Sequence, residues 1–225
     1  GWTAAQMARR LEANKFTAAN EFYQAAYPVG ALVSPWEGRL FPDTYLLPQR
    51  GTAKQLLAHL TERFNEVAEG LPKEGPVAGK GKRLTTQEIV VLASLVERET
   101  SINEERPLVA GVLLNRLRKG MRLQCDASVQ YARQRAAESG LLEEGHKERL
   151  LFRDLEIDSP FNTYRNAGLP PGPICNPGKA SLLAAAMPKS SPYFFYVMSP
   201  KLNRHRFAVT FDEHRRNIRL AKSED

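Results

Sequence analysis

The segment Gln87-Glu-Ile-Val-Val-Leu-Ala-Ser-Leu-Val-Glu-Arg-Glu-Thr100 carries two carboxylates two positions apart, Glu97 and Glu99. At 3.6 residues per helical turn, such side chains point nearly opposite ways, so only one can enter a given pocket. Leu92, Leu95, Val96 and Glu99 fall at i, i+3, i+4 and i+7, which puts Glu99 next on an apolar stripe. Glu97 follows Val90, Ala93 and Ser94, a smaller and wetter set of neighbours. A carboxyl held against apolar groups at a helix C-terminus has its charge disfavoured twice, by desolvation and by the helix dipole. Such a group keeps its proton near neutral pH and suits general acid catalysis. The plain alternative is an exposed helix end whose glutamate pairs with Arg98 or Arg106, since structural ion pairs perturb carboxylates too.

Two further stretches gather groups suited to sugars. One runs from Asn115-Arg116 through Met121-Arg-Leu-Gln-Cys-Asp126 to Tyr131; the other joins Ser159-Pro-Phe-Asn-Thr-Tyr164 to Gly168-Leu-Pro-Pro-Gly-Pro-Ile-Cys-Asn-Pro-Gly178. Amide and carboxylate side chains hydrogen-bond hydroxyls and acetamides, and tyrosine rings offer apolar faces to pyranoses. The prolines preset a rigid loop beside them. Asp126 and Asn176 also read as helix caps, the favoured reading for Asn176 ahead of Pro177. Asn162 and Tyr164 stand open between shaping a turn and binding a ligand.

Other chemistries lack their residues. There is no G-x-S-x-G, H-E-x-x-H or G-x-G-x-x-G segment. Gly75-Pro-Val-Ala-Gly-Lys-Gly-Lys82 has the wrong spacing for a phosphate loop, and Arg83 stands where a hydroxyl residue would follow the lysine. His59, His146, His205 and His214 are scattered, so no metal site is expected, and no cofactor. Cys125 and Cys175 form no C-x-x-C pair and read as free thiols rather than a disulfide.

Helices must position these groups. Thr3 caps a helix over 4–14, a second spans 18–27 ahead of Pro28, and Thr52 starts a third running to Glu69. Residues 28–51 read as an ordered loop or strand–turn. Residues 70–84, rich in Gly and Pro, are the best candidate for a flexible break. The chemistry-bearing helix spans Thr86 to Glu99. A next one begins near Pro107 and stops before Gly120, another starts at Asp126, and one spans Lys179 to Met187. Strands over Tyr193–Ser199 and His205–Phe211 make a hairpin, with Phe207, Val209 and Phe211 on its buried face, before a terminal helix from Asp212. The fold class is α+β, mainly helical with a C-terminal β-hairpin and small additional strands. Residues 1–75 form an N-terminal helical part and 76–225 the core that carries the chemistry.

The 225 residues, 42% hydrophobic and 25% charged, support one large domain or two small ones and exclude disordered, collagenous and disulfide-scaffold classes. The apolar run Ile89–Val96 is far short of the ~20 residues a bilayer requires. No secretory leader follows Gly1-Trp2, so the chain reads as trimmed, with any anchor or export signal ahead of it. The net charge of +7 points only weakly to an anionic partner; a solvated surface explains it better, and nucleic acid is not expected.

Taken in order, these segments resemble the MltG (YceG-like) family of endolytic murein transglycosylases. The resemblance rests on Glu37-Gly-Arg-Leu-Phe-Pro-Asp-Thr-Tyr45, Leu92-Ala-Ser-Leu-Val-Glu-Arg-Glu-Thr100, Asn115-Arg-Leu and Gly120-Met-Arg-Leu-Gln-Cys-Asp126. It continues through Asn162-Thr-Tyr164, Gly168-Leu-Pro-Pro-Gly-Pro-Ile174, Asn176-Pro-Gly178 and the strand pair with His205 before Phe207. It implies a lyase that cuts the MurNAc-β-1,4-GlcNAc bond inside a glycan strand, leaves a 1,6-anhydro end and terminates nascent strands. It places the catalytic acid at Glu99 and implies that Thr100 orients it. Gln124, Asp126, Asn162 and Tyr164 would position sugars, and Asn115, Tyr131 and His205 are further substrate-binding candidates. Peptidoglycan strands and membrane-bound peptidoglycan synthases are the implied partners, at the extracytoplasmic face of the cytoplasmic membrane, with an anchoring helix and a LysM-like region ahead of Gly1. A lysozyme-type hydrolase with Asp126 as second carboxylate, and a glycan-binding or synthase-scaffolding module, are the competing readings.

Overall fold

Three threonines start three of the helices. Thr3, Thr52 and Thr85 each accept the backbone N–H three residues on, and Gln6, Gln55 and Glu88 reach back to the capping residue, closing reciprocal capping boxes. The computed structural model describes residues 1–46, 51–138 and 150–223. Along them run α1 Ala4–Ala13, α2 Ala19–Ala26, α3 Ala53–Glu69, α4 Thr86–Glu99, α5 Arg106–Arg118, α6 Asp126–Glu138 and α7 Lys179–Ala186. The hairpin strands β1 Phe195–Ser199 and β2 Arg204–Ala208 follow, and then α8 Phe211–Ser223. This is the expected α+β class. Beyond the hairpin, extended pairing among the described residues is a single bridge, Val77 with Arg83. None of their helices is long and apolar enough to cross a membrane.

The core is built around α4. Every residue from Ile89 to Val96 is buried, so this stretch of the helix has no solvent face and needs neighbours all round. The helices α5, α6 and α7 supply them. The main cluster joins Leu92, Leu95 and Val96 to Val109, Leu113, Leu123, Tyr131, Phe161, Ile174 and Leu182, and it takes in Phe41, Phe64 and Leu71 from the N-terminal third. A second cluster gathers Ala4, Ala8, Phe22, Tyr27, Leu40, Leu56, Leu57 and Leu60 from α1–α3 and the loop between. Past Lys119, which ends α5, Gly120 adopts φ +67, the left-handed stop its type predicts.

Three expectations are corrected. Residues 70–84 are not a flexible break. Ala78 N donates to Lys82 O (2.7 Å) and Leu84 N to Pro76 O (3.0 Å), closing a compact turn that includes the Val77–Arg83 bridge. The buried face of the second strand does not run through Val209 and Phe211, which are 38% and 59% exposed; Ala208 is the buried residue. Glu213 accepts the N–H groups of Val209 and Thr210 (2.9 and 3.1 Å), and this turns the chain out of the strand to begin α8.

Asn176 is not a helix cap, because α7 starts from Gly178 with no side-chain cap bond. Its amide is buried and ties several segments together. Oδ1 accepts Gly38 N (2.8 Å) and Leu40 N (2.9 Å), while Nδ2 donates to Trp2 O (3.0 Å) and Glu37 Oε1 (2.8 Å). Gly38 itself sits at φ +86, where an added Cβ would lie 2.5 Å from Pro173. The loop after α2 is thereby pressed onto the 168–178 loop.

Candidate active site

The helix α4 ends at Glu99 because Thr100 leaves helical geometry, at φ −148 and ψ 137. The Thr100 hydroxyl accepts Ile102 N (3.1 Å) and so shapes the exit from the helix. The group that touches Glu99 comes instead from the hairpin: Tyr196 donates its hydroxyl to Oε2 at 2.9 Å. Around them opens a cleft of 280 Å³ lined by Glu99, Arg116, Leu123, Gln124, Asp126, Tyr164, Tyr196 and His214.

The Glu99 side chain keeps some solvent contact through the mouth of this cleft, but its carboxyl is packed deeply in protein. Burial is the largest influence on it and raises its pKa from 4.5 to about 7. The Tyr196 hydroxyl pulls the value down, the Asp126 charge pushes it up, and the Cys125 thiol and the Arg116 guanidinium pull it down again. Tyr196 in turn is held well above the usual phenol range by burial and by the Glu99 charge. Burial, with Arg116 beside it, lowers the pKa of His214, and its Nδ1 is buried with no hydrogen-bond partner among the described residues.

Glu97, two residues earlier, is spent elsewhere. Its side chain is only 15% exposed. Oε2 accepts the Ser181 hydroxyl (2.6 Å) and Gly178 N (3.3 Å), and Arg106 lies 3.8 Å away, which ties α4 to the start of α7. Burial pushes its pKa up, while the Ser181 hydroxyl, the Arg106 charge and the Gly178 N–H pull it down. Arg106 therefore pairs with Glu97, not Glu99, and Arg98 donates to Gly1 O (3.3 Å).

The two sugar-type stretches together supply the rest of the wall. Gln124 stands in the left-handed region at φ +53, held by its N–H on Thr163 O (3.1 Å), and Cys125 N bonds Thr163 Oγ1 (2.9 Å). This conformation is uncommon for a residue with a side chain, and such residues cluster at functional sites. Tyr164 donates to Asp126 Oδ1 at 2.5 Å, and burial together with that carboxylate raises its pKa. Gln124, Asp126 and Tyr164 thus share the cleft with Glu99.

The other expected site residues do not line it. Asn162 is fully buried; Nδ2 donates to Leu155 O (2.8 Å) and Ile157 O (2.9 Å), and Oδ1 accepts Tyr164 N (3.0 Å). It builds the loop that presents Tyr164. Asn115 donates to Ser191 O (2.8 Å) and Tyr193 O (3.0 Å), steadying the entry to β1. Tyr131 is buried against Phe161 and hydrogen-bonds the Tyr27 hydroxyl. His205, with a side chain 5% exposed, is bonded through Nδ1 to Glu105 Oε2 (2.6 Å) behind Tyr196.

Sequence reasoning did not assign Arg116, Tyr196 and His214 to the site. Arg116 adjoins Asn115 in the same motif, one helical step round; its Nε bonds Phe194 O and its Nη1 bonds Leu123 O, both at 2.7 Å. Tyr196 and His214 lie about a hundred positions from Glu99, and no local pattern marks them. Larger hollows exist, of 740 Å³ beside Lys80 and Arg118 and 560 Å³ beside Tyr23 and Arg135, but Glu99 lines neither.

Fold and cleft together define a helical α+β domain that presents one desolvated glutamate amid hydrogen-bonding and aromatic side chains. The chain belongs to the YceG-like family, whose pattern it matches over residues 1–220. It is 35% identical over 181 residues to the endolytic murein transglycosylase of Bacillus subtilis, covering 80% of this chain and 46% of that protein. To the protein of the same name from Streptococcus pneumoniae D39 it is 31% identical over 182 residues, covering 81% and 31%. The chain thus spans less than half the length of these curated relatives. Among solved structures, a YceG-like protein of Listeria monocytogenes superposes with a TM-score of 0.76 at 28% identity, covering 96% of this chain and 73% of that one.

Proposed function

We propose that this chain carries the catalytic centre of an endolytic peptidoglycan lytic transglycosylase, cutting the MurNAc-β-1,4-GlcNAc bond of nascent strands. The observation that carries the reading is Glu99, an acid with a pKa of about 7 at the head of a cleft rich in hydrogen-bonding groups. Protonated Glu99 donates to the glycosidic oxygen as its bond to C1 of the muramic residue breaks. The 6-hydroxyl of that residue then closes on C1, and the carboxylate takes its proton. The enzyme ends as it began, no water is consumed, and a 1,6-anhydro end remains. Gln124, Asp126 and Tyr164 orient the sugars. The names of the relatives support this reading and, with it, action outside the cytoplasm; work beside membrane-bound synthases belongs to the same proposal.

A second reading, a lysozyme-type hydrolase, draws on Asp126, a second carboxylate in the same cleft. Digestion of purified murein separates them by product mass. The transglycosylase reading expects 1,6-anhydro ends from the wild type and none from Glu99→Gln, which still sediments with insoluble murein. Reducing ends would establish hydrolysis, and unchanged cellular function of Glu99→Gln would leave only a binding or scaffolding role.

A further inference from the structure

Behind the Glu99 carboxyl lies a three-layer arrangement that the cleavage chemistry does not itself require. Among the described residues, Tyr196 on β1 gives Glu99 its one hydrogen bond from a hydroxyl or amide. On the same face of the hairpin, the His205 ring meets the Tyr196 ring edge-on, with centroids 5.4 Å apart and planes at 88°. His205 is fixed twice by one carboxylate: Glu105 Oε1 accepts its backbone N–H at 3.0 Å, and Oε2 pairs with its Nδ1 at 2.6 Å. Glu105 immediately precedes α5, six residues after Glu99. The short connection between α4 and α5 therefore carries the acid at one end and, at the other, the carboxylate that seats the hairpin over it. Both the Glu105 and His205 side chains are at most 10% exposed, so this pair is shielded from competing water.

We propose that Tyr196 is the positioning residue for Glu99, its hydroxyl marking Oε2 as the acceptor and leaving Oε1 to carry the transferred proton, with the Glu105–His205 pair holding Tyr196 in place. A carboxyl has two oxygens and can rotate; a phenol that donates to one of them fixes both the rotamer and the site of protonation. The proposal rests on Glu99 being the acid of the reading above. The other groups facing it are Asp126 from α6, Arg116 from α5, Cys125 before α6, Tyr164 from the 159–164 loop and His214 from α8. None of these changes when the Tyr196 hydroxyl is removed.

The test is Tyr196→Phe, which keeps the ring packed on His205 and Phe207 and deletes only the donor. Carboxyl ¹³C NMR of glutamate-labelled protein follows the Glu99 titration, identified by its loss in Glu99→Gln. Loss of a donor to the carboxylate raises that pKa, so Glu99 should titrate above its wild-type value, and the alkaline limb of the rate profile should move up with it. kcat should fall by roughly 10- to 100-fold, the scale of a misplaced reacting group, with KM unchanged. Glu105→Gln should move the titration the same way by less, and it supplies the readout if Tyr196→Phe does not fold. A Glu99 titration that stays put in the folded variants overturns the proposal, whatever the rate does. If the wild type makes no anhydro product yet the titration shifts, the transglycosylase reading fails and the placement of Glu99 by Tyr196 stands.

Discussion

Replacing Glu99 with glutamine should make the protein more stable in alkaline solution and leave it unchanged in acid. The native pKa of Glu99 lies near 7, above its ordinary 4.5. Below the lower value the side chain is protonated in both folded and unfolded chains and costs nothing. Between the two values the folded chain holds a proton that the unfolded chain has released, so stability falls as pH rises, and above about 7 the full cost of a desolvated charge is present. Glutamine has the same shape and never ionises.

The rise from 4.5 to about 7, at about 1.4 kcal/mol per pH unit, sets a ceiling of about 3 kcal/mol on the gain. Water reaching the side chain through the cleft lowers the expected figure to about 1–2 kcal/mol. Urea unfolding of both proteins at about pH 4 and about pH 8.5 measures it. Glu37 also has a raised pKa of about 7 and gives the wild type a similar slope, but it is present in both proteins and cancels in the difference. A difference that is the same at both pH values, or a variant less stable at both, would refute the desolvation of Glu99 and with it the reason this carboxyl holds a proton at neutral pH.

Two other outcomes test the structure from different sides. In the proposed mechanism Glu99 begins protonated, so kcat/KM for murein cleavage should fall as pH rises through about 7; a profile flat from about pH 6 to 9 would remove Glu99 as the acid. Asn176→Ala strands the buried N–H groups of Gly38 and Leu40; at about 1–3 kcal/mol for each unsatisfied donor, unfolding free energy should drop by about 3 kcal/mol. A loss under about 1 kcal/mol in urea titration would show that water or a rearranged loop replaces the amide.

Helices were legible because their signals are local. Thr3 and Thr52 with their glutamines, Pro107 in the first turn of α5 and Gly120 beyond its end each act within a few residues. The location of Glu99 was readable, though for a reason that proved incomplete. The α4 stripe is not a stripe, since Val90, Ala93 and Ser94 are as buried as Leu92 and Leu95, and Glu97 is sheltered too. What separates the two carboxylates is their partners, Ser181, Gly178 and Arg106 on one and Tyr196 on the other. Those partners come from segments distant in sequence. The same limit explains Asn115, Asn162 and His205: their residue types suit sugars, but buried backbone carbonyls and a buried carboxylate claimed their hydrogen bonds.

Glu37 makes a useful contrast with Glu99, because burial raises each of them to about 7. A perturbed pKa therefore does not choose between them. Glu37 is 2% exposed and its oxygens accept from Ala4 N, the Tyr27 hydroxyl and the Asn176 amide, with contacts between 2.7 and 3.2 Å. Its bonds join α1, α2 and the 168–178 loop, and a substrate would have to break them to reach it. Glu99 has one hydroxyl donor and opens on a cleft that also holds a left-handed Gln124 and a histidine with an unpaired Nδ1. Native folds satisfy buried polar groups almost everywhere. Where capacity is left unspent, backbone strain persists and solvent can enter, the cost has been retained against the interest of stability. The coincidence of all three features at Glu99, and of none at Glu37, is why the proposed function gives the acid's role to Glu99.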